Sequence, residues 1–337
     1  MIKRRKTKKR FGSELRMDLV SNDWVIIATG RARRPETFAK EERIKEKISP
    51  KDCPFCQEEI LKKAIAIQRK PNSSWFVLSI LNDFPAFSMG DSLNQRKEGP
   101  NRIMDGLGYQ EVVITANHQK QIAQFSKEEI KTVIDLYQER YLDLINRKFI
   151  KYVSVFHNHG REAGATIAHP HSQLIAIPVI DPDLRDSIDG AESFYRGQGK
   201  CVYCTMINWD IKDKQRIIYE NEKFIVLCPF ASQVSFEVRV YPKKHQPYFE
   251  KIDEKEKELF ADAFQKAISK IYRGLKDPPY NFYFHTAPRD GGTYEHYHWH
   301  LNILPKTSVW AGFELGAGIE ISSIEPEKAA AFLKKVK

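Results

Sequence analysis

The sequence predicts an α+β fold built from a duplicated unit, with a mainly antiparallel sheet and helices packed on it. Three observations predict it. Each half opens on a Cys-x-x-Cys pair, "CPFC" at Cys53–Cys56 and "CVYC" at Cys201–Cys204. Each half then has a β-rich segment that closes on a histidine, with a helix pattern beginning eight residues later. The interval from His118 to His169 is 51 residues, and so is that from His245 to His296. Chance histidines do not repeat such an interval on matching strand–helix–strand frames.

In the first half the β-rich segment "EVVITANH" reads as a strand and ends at His118. The helix "SKEEIKTVIDLYQERYLDLI" opens on a capping box, Ser126 to Glu129, and carries Ile130, Val133, Ile134, Tyr137, Tyr141 and Leu144 on one face. A strand "YVSVFHN", a loop with Gly160 and Gly164, and the strand that follows "HPHSQ" complete the unit. The second half repeats this plan: "FEVRVYPKKH" to His245, a helix from Asp253, the strand "NFYFHTA", then "HYHWH". A polar linker is expected near "DPDLRDSIDGAESFYRGQGK". The boundaries are a tail at 1–18, one unit at 19–185 and a second at 186–337.

The 337 residues carry a net charge of +10, yet most of the excess lies at the N-terminus. From Lys3 to Arg16 there are eight Lys or Arg against the single acid Glu14. That stretch reads as a solvated, flexible tail, with nonspecific polyanion contact as its alternative use. No apolar run approaches the roughly 18 residues that span a bilayer, and no apolar segment follows the basic start. A cytoplasmic protein without membrane contact is expected.

Four of the five cysteines fall in the two Cys-x-x-Cys pairs. In a reducing compartment such pairs favour metal over disulfide. Joined to the repeated histidines they give two Cys2His2 sets: Cys53, Cys56, His118 and His169, then Cys201, Cys204, His245 and His296. Two thiolates and two imidazoles make a closed tetrahedral set suited to structural Zn2+.

"HPHSQ" puts His169 and His171 on one side of an extended segment. With His169 given to metal, His171 is free to react, as a neutral imidazole whose tautomer is fixed by a hydrogen bond at its other nitrogen. Gln173 lies on the same face, where its amide N–H could hold a phosphate oxygen. Gly160 and Gly164 let backbone N–H groups approach a phosphate. Neither a P-loop nor a Rossmann fingerprint is present, which argues against ATP-driven or redox chemistry.

Together "HPHSQ", "FHNHGREAGA", "CPFC", "SNDWVIIATGRARRP" and "LNDFPAF" resemble the galactose-1-phosphate uridylyltransferase family, a branch of the histidine-triad superfamily. The resemblance runs from about Leu19 to about Gly318. It implies that the N-terminal unit is the catalytic histidine-triad-like domain, in which His171 attacks the α-phosphorus of UDP-glucose. A uridylyl-histidine then passes its nucleotidyl group to galactose 1-phosphate. It also implies that Arg31 and Arg34 lie near substrate phosphates and that Asn158 and Gln173 contact them, with the Gly164 loop beside them. Asn82, Asp83 and Phe84 resemble the uridine site, and Phe313 and Glu314 the sugar-binding segment. That segment reaches the neighbouring subunit in the family, so a homodimer is implied. Ser172 stands where several members have Gly. A sister branch, ADP-glucose phosphorylase or adenylyltransferase, is similar in its "HSQ" and in a second Cys2His2 set. The second half, with His298 in the nucleophile's place and no Gln after it, reads as structural.

The two enzyme readings share one chemistry and differ in nucleobase and acceptor. A reading from another class is a zinc-stabilised nucleic-acid-binding protein. The 41 or more residues between each Cys pair and its first histidine fit no zinc finger, and no RNP-like aromatic strand is present. No specific nucleic-acid partner is therefore expected.

Overall fold

The computed structural model describes residues 12–29 and 48–337. Most of the basic tail, together with Arg31 and Arg34, lies outside the described residues. Strands β1 (Glu14–Met17) and β2 (Trp24–Ile27) form a hairpin. The first half follows as β3 (Ala64–Arg69), β4 (Trp75–Leu81), a small β5–β6 hairpin (Arg96–Glu98, Asn101–Ile103), β7 (Tyr109–Thr115), α1 (Lys127–Ile145), β8 (Tyr152–His159) and β9 (His171–Ile177). Helices α2 (Pro182–Gln198) and α3 (Val202–Asp213) lead into the second half. It comprises β10 (Ile217–Glu220), β11 (Phe224–Leu227), β12 (Val238–Pro242), α4 (Glu254–Gly274), β13 (Tyr280–His285) and β14 (His300–Pro305). The chain ends with α5 (Gly312–Ala317), β15 (Ile321–Ser322), which pairs with β2, and α6 (Pro326–Lys335).

The two halves share one ten-stranded antiparallel sheet, ordered β10-β11-β12-β14-β13-β8-β9-β7-β4-β3. The order read inward from either edge is the same, so the duplication appears as an approximate two-fold across the β8–β13 seam. There Asn158 pairs with Asn281 and His157 with Phe282.

Both long helices begin where their sequence signals put them. Ser126 Oγ accepts from Glu129 N at 3.2 Å, and Glu129 Oε2 accepts from Ser126 N at 2.9 Å. Asp253 and Glu256 form the matching box on α4. Each box satisfies helix N–H groups that would otherwise lack partners. The apolar faces of α1 and α4 cover one face of the sheet, and a single core joins Ile134, Tyr137, Phe260 and Phe264 to Val155, Leu174, Phe282 and Leu301. Side chains alternate along β9, so Ser172, Leu174 and Ala176 face the helices while His171 and Gln173 face away. On that second face the "CPFC" turns pack at one end of the sheet, and α2 and α3 at the other.

The expected linker is instead helix α2. Asp181 caps it, accepting from Leu184 N at 2.9 Å, and Pro182 occupies its first turn. Leu184, Ile188 and Ala191 bury one side at helical spacing, and Gly199 ends it with φ +64°. Its many charges lie on the exposed side and mask the apolar stripe. The boundary expected at residue 185 thus falls inside a helix. Among the described residues no helix is long and apolar enough to cross a membrane.

Helix α1 is tied to the sheet by a buried ion pair that the helical pattern does not announce. Arg140 donates from Nε and Nη2 to Glu111 on β7 at 2.9 and 2.7 Å, and Ser79 on β4 donates to the same carboxylate at 2.8 Å. Removing one partner strands a buried charge, whereas replacing both removes the desolvation cost as well. Arg140→Met is therefore expected to lower stability by about 3–5 kcal/mol in a denaturant titration. Arg140→Met combined with Glu111→Leu should regain much of that loss. A single variant as stable as the wild type would refute the assignment.

Candidate active site and metal centres

Cys53 and Cys56 lie in two tight 3-10 turns beneath β4 and β7. His118 follows the end of β7, and His169 stands two residues before β9. The four ligand atoms lie within 4.8 Å of one another. His118 Nε2 donates to Ile48 O at 2.8 Å, and His169 Nε2 donates to Thr115 O at 2.6 Å. Both imidazoles are thereby fixed with Nδ1 bare toward the thiols, and the two Nδ1 atoms stand 3.2 Å apart. Burial lowers the His169 pKa to about 4, which keeps the ring neutral, as a ligand must be. Burial first, then the neighbouring Cys53, pushes Cys56 up to about 11. Two bare nitrogens and two crowded sulfurs repel unless a cation joins them, so the donor set fits a divalent metal.

The second group corrects the sequence reading. The residues that converge are Cys201, Cys204, His245 and His298, not His296. His298 Nε2 donates to Pro242 O at the end of β12, at 2.9 Å, as His169 does to Thr115 O at the end of β7. The ligand position is set by the strand: it lies two residues before β9 in one half and two before β14 in the other. From His245 to His298 is 53 residues, so the repeat is two residues longer in the second half and the match at 51 picks the wrong member of "HYHWH". His296 precedes this point, its ring 5.9 Å from that of Tyr294. The counterpart of His171, the nucleophile the sequence leads one to expect, is accordingly His300, not His298. Its Nδ1 donates to His298 O at 3.0 Å, just as His171 Nδ1 donates to His169 O at 2.8 Å.

That bond fixes the opposite tautomer in His171, leaving the lone pair on Nε2. Burial lowers its pKa, partly offset by the His169 carbonyl, so the ring is neutral at physiological pH. Phe55, inside "CPFC", packs obliquely on His171 at 5.3 Å and on His169 at 5.8 Å between ring centres. The Cys pair thus brings a wall for the His171 ring as well as two thiols of the Cys/His group.

Gln173 and Asn158 flank His171 on the same face, one along β9 and one on the neighbouring β8. The oxygen of each amide is engaged. Gln110 Nε2 donates to Gln173 Oε1 at 2.9 Å, and Asn281 Nδ2 donates to Asn158 Oδ1 at 2.8 Å. Both amides therefore offer their NH2 groups to the site. Gly164 (φ +89°) runs beside Asn158, where an added Cβ would lie 3.7 Å from Nδ2. Gly160 (φ +83°) lies so close to Pro279 that a Cβ would come within 2.9 Å of it.

Asn82, Asp83 and Phe84 follow β4 and join this edge through Gln110. Gln110 O accepts from Asn82 N, and its Oε1 accepts from Ala86 N at 3.0 Å. Asn82 turns the chain by accepting from Phe84 N at 2.9 Å, Asp83 pairs with Lys63, and Phe84 is 91% exposed. Phe313 and Glu314 lie on the exposed α5. Its flanks, Trp310 and Gly318, line a cavity of about 700 Å³ together with Asn158 and His300. Gln110 and Asn281 were not legible beforehand, because each acts by a cross-strand contact that no local motif marks.

The family model for galactose-1-phosphate uridyl transferase, N-terminal domain, matches residues 3–180. A domain of unknown function (DUF4921) matches 107–335. An ADP-glucose phosphorylase of Arabidopsis thaliana is 32% identical over 96% of this chain and 93% of its own length. A galactose-1-phosphate uridylyltransferase of Thermotoga maritima is 27% identical over 96% and 98%. Among solved structures, an ADP-glucose phosphorylase from Arabidopsis thaliana with bound ADP-glucose has a TM-score of 0.79 at 28% identity, covering 96% of this chain and 99% of that one. A structure described as a uridylyltransferase, with a TM-score of 0.73 at 23% identity over 96% and 97%, shares the fold. With the family's motifs on matching strands and its relatives aligned end to end, this chain belongs to the galactose-1-phosphate uridylyltransferase family.

Proposed function

We propose that this chain is a hexose-1-phosphate uridylyltransferase that works by ping-pong through a nucleotidyl-histidine at His171. The observation that carries the reading is the bond from His171 Nδ1 to the His169 carbonyl, which leaves a neutral Nε2 on the face of the sheet away from α1, between two amide donors. Nε2 attacks the α-phosphorus of UDP-glucose: a P–N bond forms as the P–O bond breaks, and glucose 1-phosphate leaves. An oxygen of galactose 1-phosphate then attacks the same phosphorus, the P–N bond breaks, and His171 returns to its neutral state. The NH2 groups of Gln173 and Asn158 stabilise charge on the phosphoryl oxygens, and Arg31 and Arg34 add guanidinium forks. Asn82, Asp83 and Phe84 receive the nucleoside.

Both Cys/His groups would hold Zn2+, the first through Cys53, Cys56, His118 and His169, the second through Cys201, Cys204, His245 and His298. When bound, such a metal supplies a structural cross-link with no open position. The reading includes a homodimer in which Phe313 and Glu314 reach the sugar of the partner's site. Its support is the apolar run Val309, Trp310, Phe313 and Leu315, exposed from 41% to 90%. A cytoplasmic setting keeps the thiols reduced.

A second reading has its own support. The chain shares with the ADP-glucose phosphorylase branch its "HSQ" and its second Cys/His group, and that relative is the more similar of the two sequences compared. The nucleotide would then be ADP-glucose and the acceptor inorganic phosphate.

Radiolabelled UDP-glucose and ADP-glucose, each supplied without acceptor, separate the two readings. The productive nucleotide should leave acid-labile label on His171. His171→Gly should keep fold and metal while losing transfer by on the order of 10⁴- to 10⁶-fold. His169→Ala should instead lose metal and stability together. Label on any other residue, or robust transfer by His171→Gly without added imidazole, would overturn the mechanism.

Elemental analysis tests the metal sets. The wild type should carry one zinc for each of the two groups. His298→Ala should lose the second ion alone, and His296→Ala should keep both. Loss of metal in His296→Ala with retention in His298→Ala would reverse the ligand assignment.

A further inference from the structure

We infer that Asn281, on the second half's strand β13, is a positioning residue for the transfer reaction, holding Asn158 with its amide NH2 toward the phosphate-binding loop. The inference rests on the reading of Asn158 as a phosphate contact. Asn281 stands directly opposite Asn158 across the seam between the halves. Its Nδ2 donates to Asn158 Oδ1 at 2.8 Å and to Ala163 O, in the loop, also at 2.8 Å. One amide nitrogen thus spends both hydrogens on the two elements that must keep register for a phosphate to be held. An Asn158 turned the other way would present its oxygen to an anion and repel it.

Two neighbouring contacts show that this stretch of the second half grips the same loop. His159 Nε2, at the loop's entry, bonds Asp277 Oδ1 at 2.7 Å. Pro279 fills the space above Gly160 that a Cβ would occupy. The chain accepts positive φ at two successive non-glycine residues, Lys276 (+56°) and Asp277 (+62°), to deliver these groups. The arrangement is one-sided despite the duplication. In the second half His285 stands opposite His300, in the place that Asn158 takes beside His171. By the same symmetry Asn281 corresponds to Ser154, which carries a hydroxyl and no amide. The amide pair exists only on the side of the working histidine.

The test is a double-mutant cycle read by single-turnover formation of the nucleotidyl-enzyme, with nucleotide-sugar affinity measured separately. Asn281→Ala should slow formation by roughly tenfold, within the range of coupling between contacting residues. Asn281→Asp should be slower still, because its carboxylate accepts from Asn158 and turns that amide around. Asn281→Ser, which keeps one donor, should recover part of the rate. In an Asn158→Ala background, Asn281→Ala should change the rate by less than about twofold. Metal content and melting temperature of each variant show whether the fold is intact. Wild-type rates in Asn281→Ala, or an equal loss in the Asn158→Ala background, would overturn the inference. A wild-type rate in Asn158→Ala alone would instead remove the role of Asn158 on which it rests.

Discussion

Two backbone carbonyls fix the tautomers on which the proposed chemistry depends. Thr115 O, at the end of β7, takes the Nε2 proton of His169, while His169 O takes the Nδ1 proton of His171. Histidines two residues apart are thus locked in opposite tautomers. One turns Nδ1 to the thiols, and the other keeps its lone pair on Nε2. The paired strands β7 and β9 set these carbonyls, so a shift of one residue in their register would send His171 to the helix side of the sheet. Metal ligation at His169, as proposed, would then stabilise the backbone segment whose carbonyl orients His171.

The seam between the halves imposes a second constraint. Because β8 pairs with β13, the sheet is continuous and the core beneath it is shared by α1 and α4. Lys257 on α4 bonds Asp135 on α1 at 2.8 Å above that core. The second half is therefore not a passive copy beside the first. It pairs β13 along β8 and, through the segment from Asp277 to Asn281, supplies contacts to the loop ahead of His171.

The sequence made some of this legible and concealed the rest for identifiable reasons. Capping boxes at Ser126 and Asp253 are local signals, and both helices start there. Cys53, Cys56, His118 and His169 converge as their spacing suggested, since each lies at the end of an element whose pattern is plain. His296 was misassigned because an interval counts residues, whereas ligation depends on position relative to a strand start, and the second half is two residues longer. Helix α2 was hidden by its charged outer surface. Arg140, Gln110 and Asn281 work across strands or between helix and sheet, and their partners lie 29 to 123 residues away. No reading of neighbours along the chain could have paired them.

The duplication also lets the surroundings of His171 be compared with those of His300. His300 shares the tautomer lock of His171, and burial holds it neutral as well. Its surroundings differ. The rings of Tyr241, His285 and Tyr203 crowd it at 5.1, 5.2 and 5.3 Å, whereas among the described residues a single ring, Phe55, packs against His171. Where Gln110 orients Gln173, the second half has Glu237 bound to Arg239, with Asp18 close by. That guanidinium is already neutralised by carboxylates and has little to offer a phosphate. Asn302, in the place of Gln173, has a shorter reach. The tautomer lock is thus retained in both halves, and the difference lies in the groups around it: amides held with their N–H groups outward in one, aromatic rings and a closed ion pair in the other.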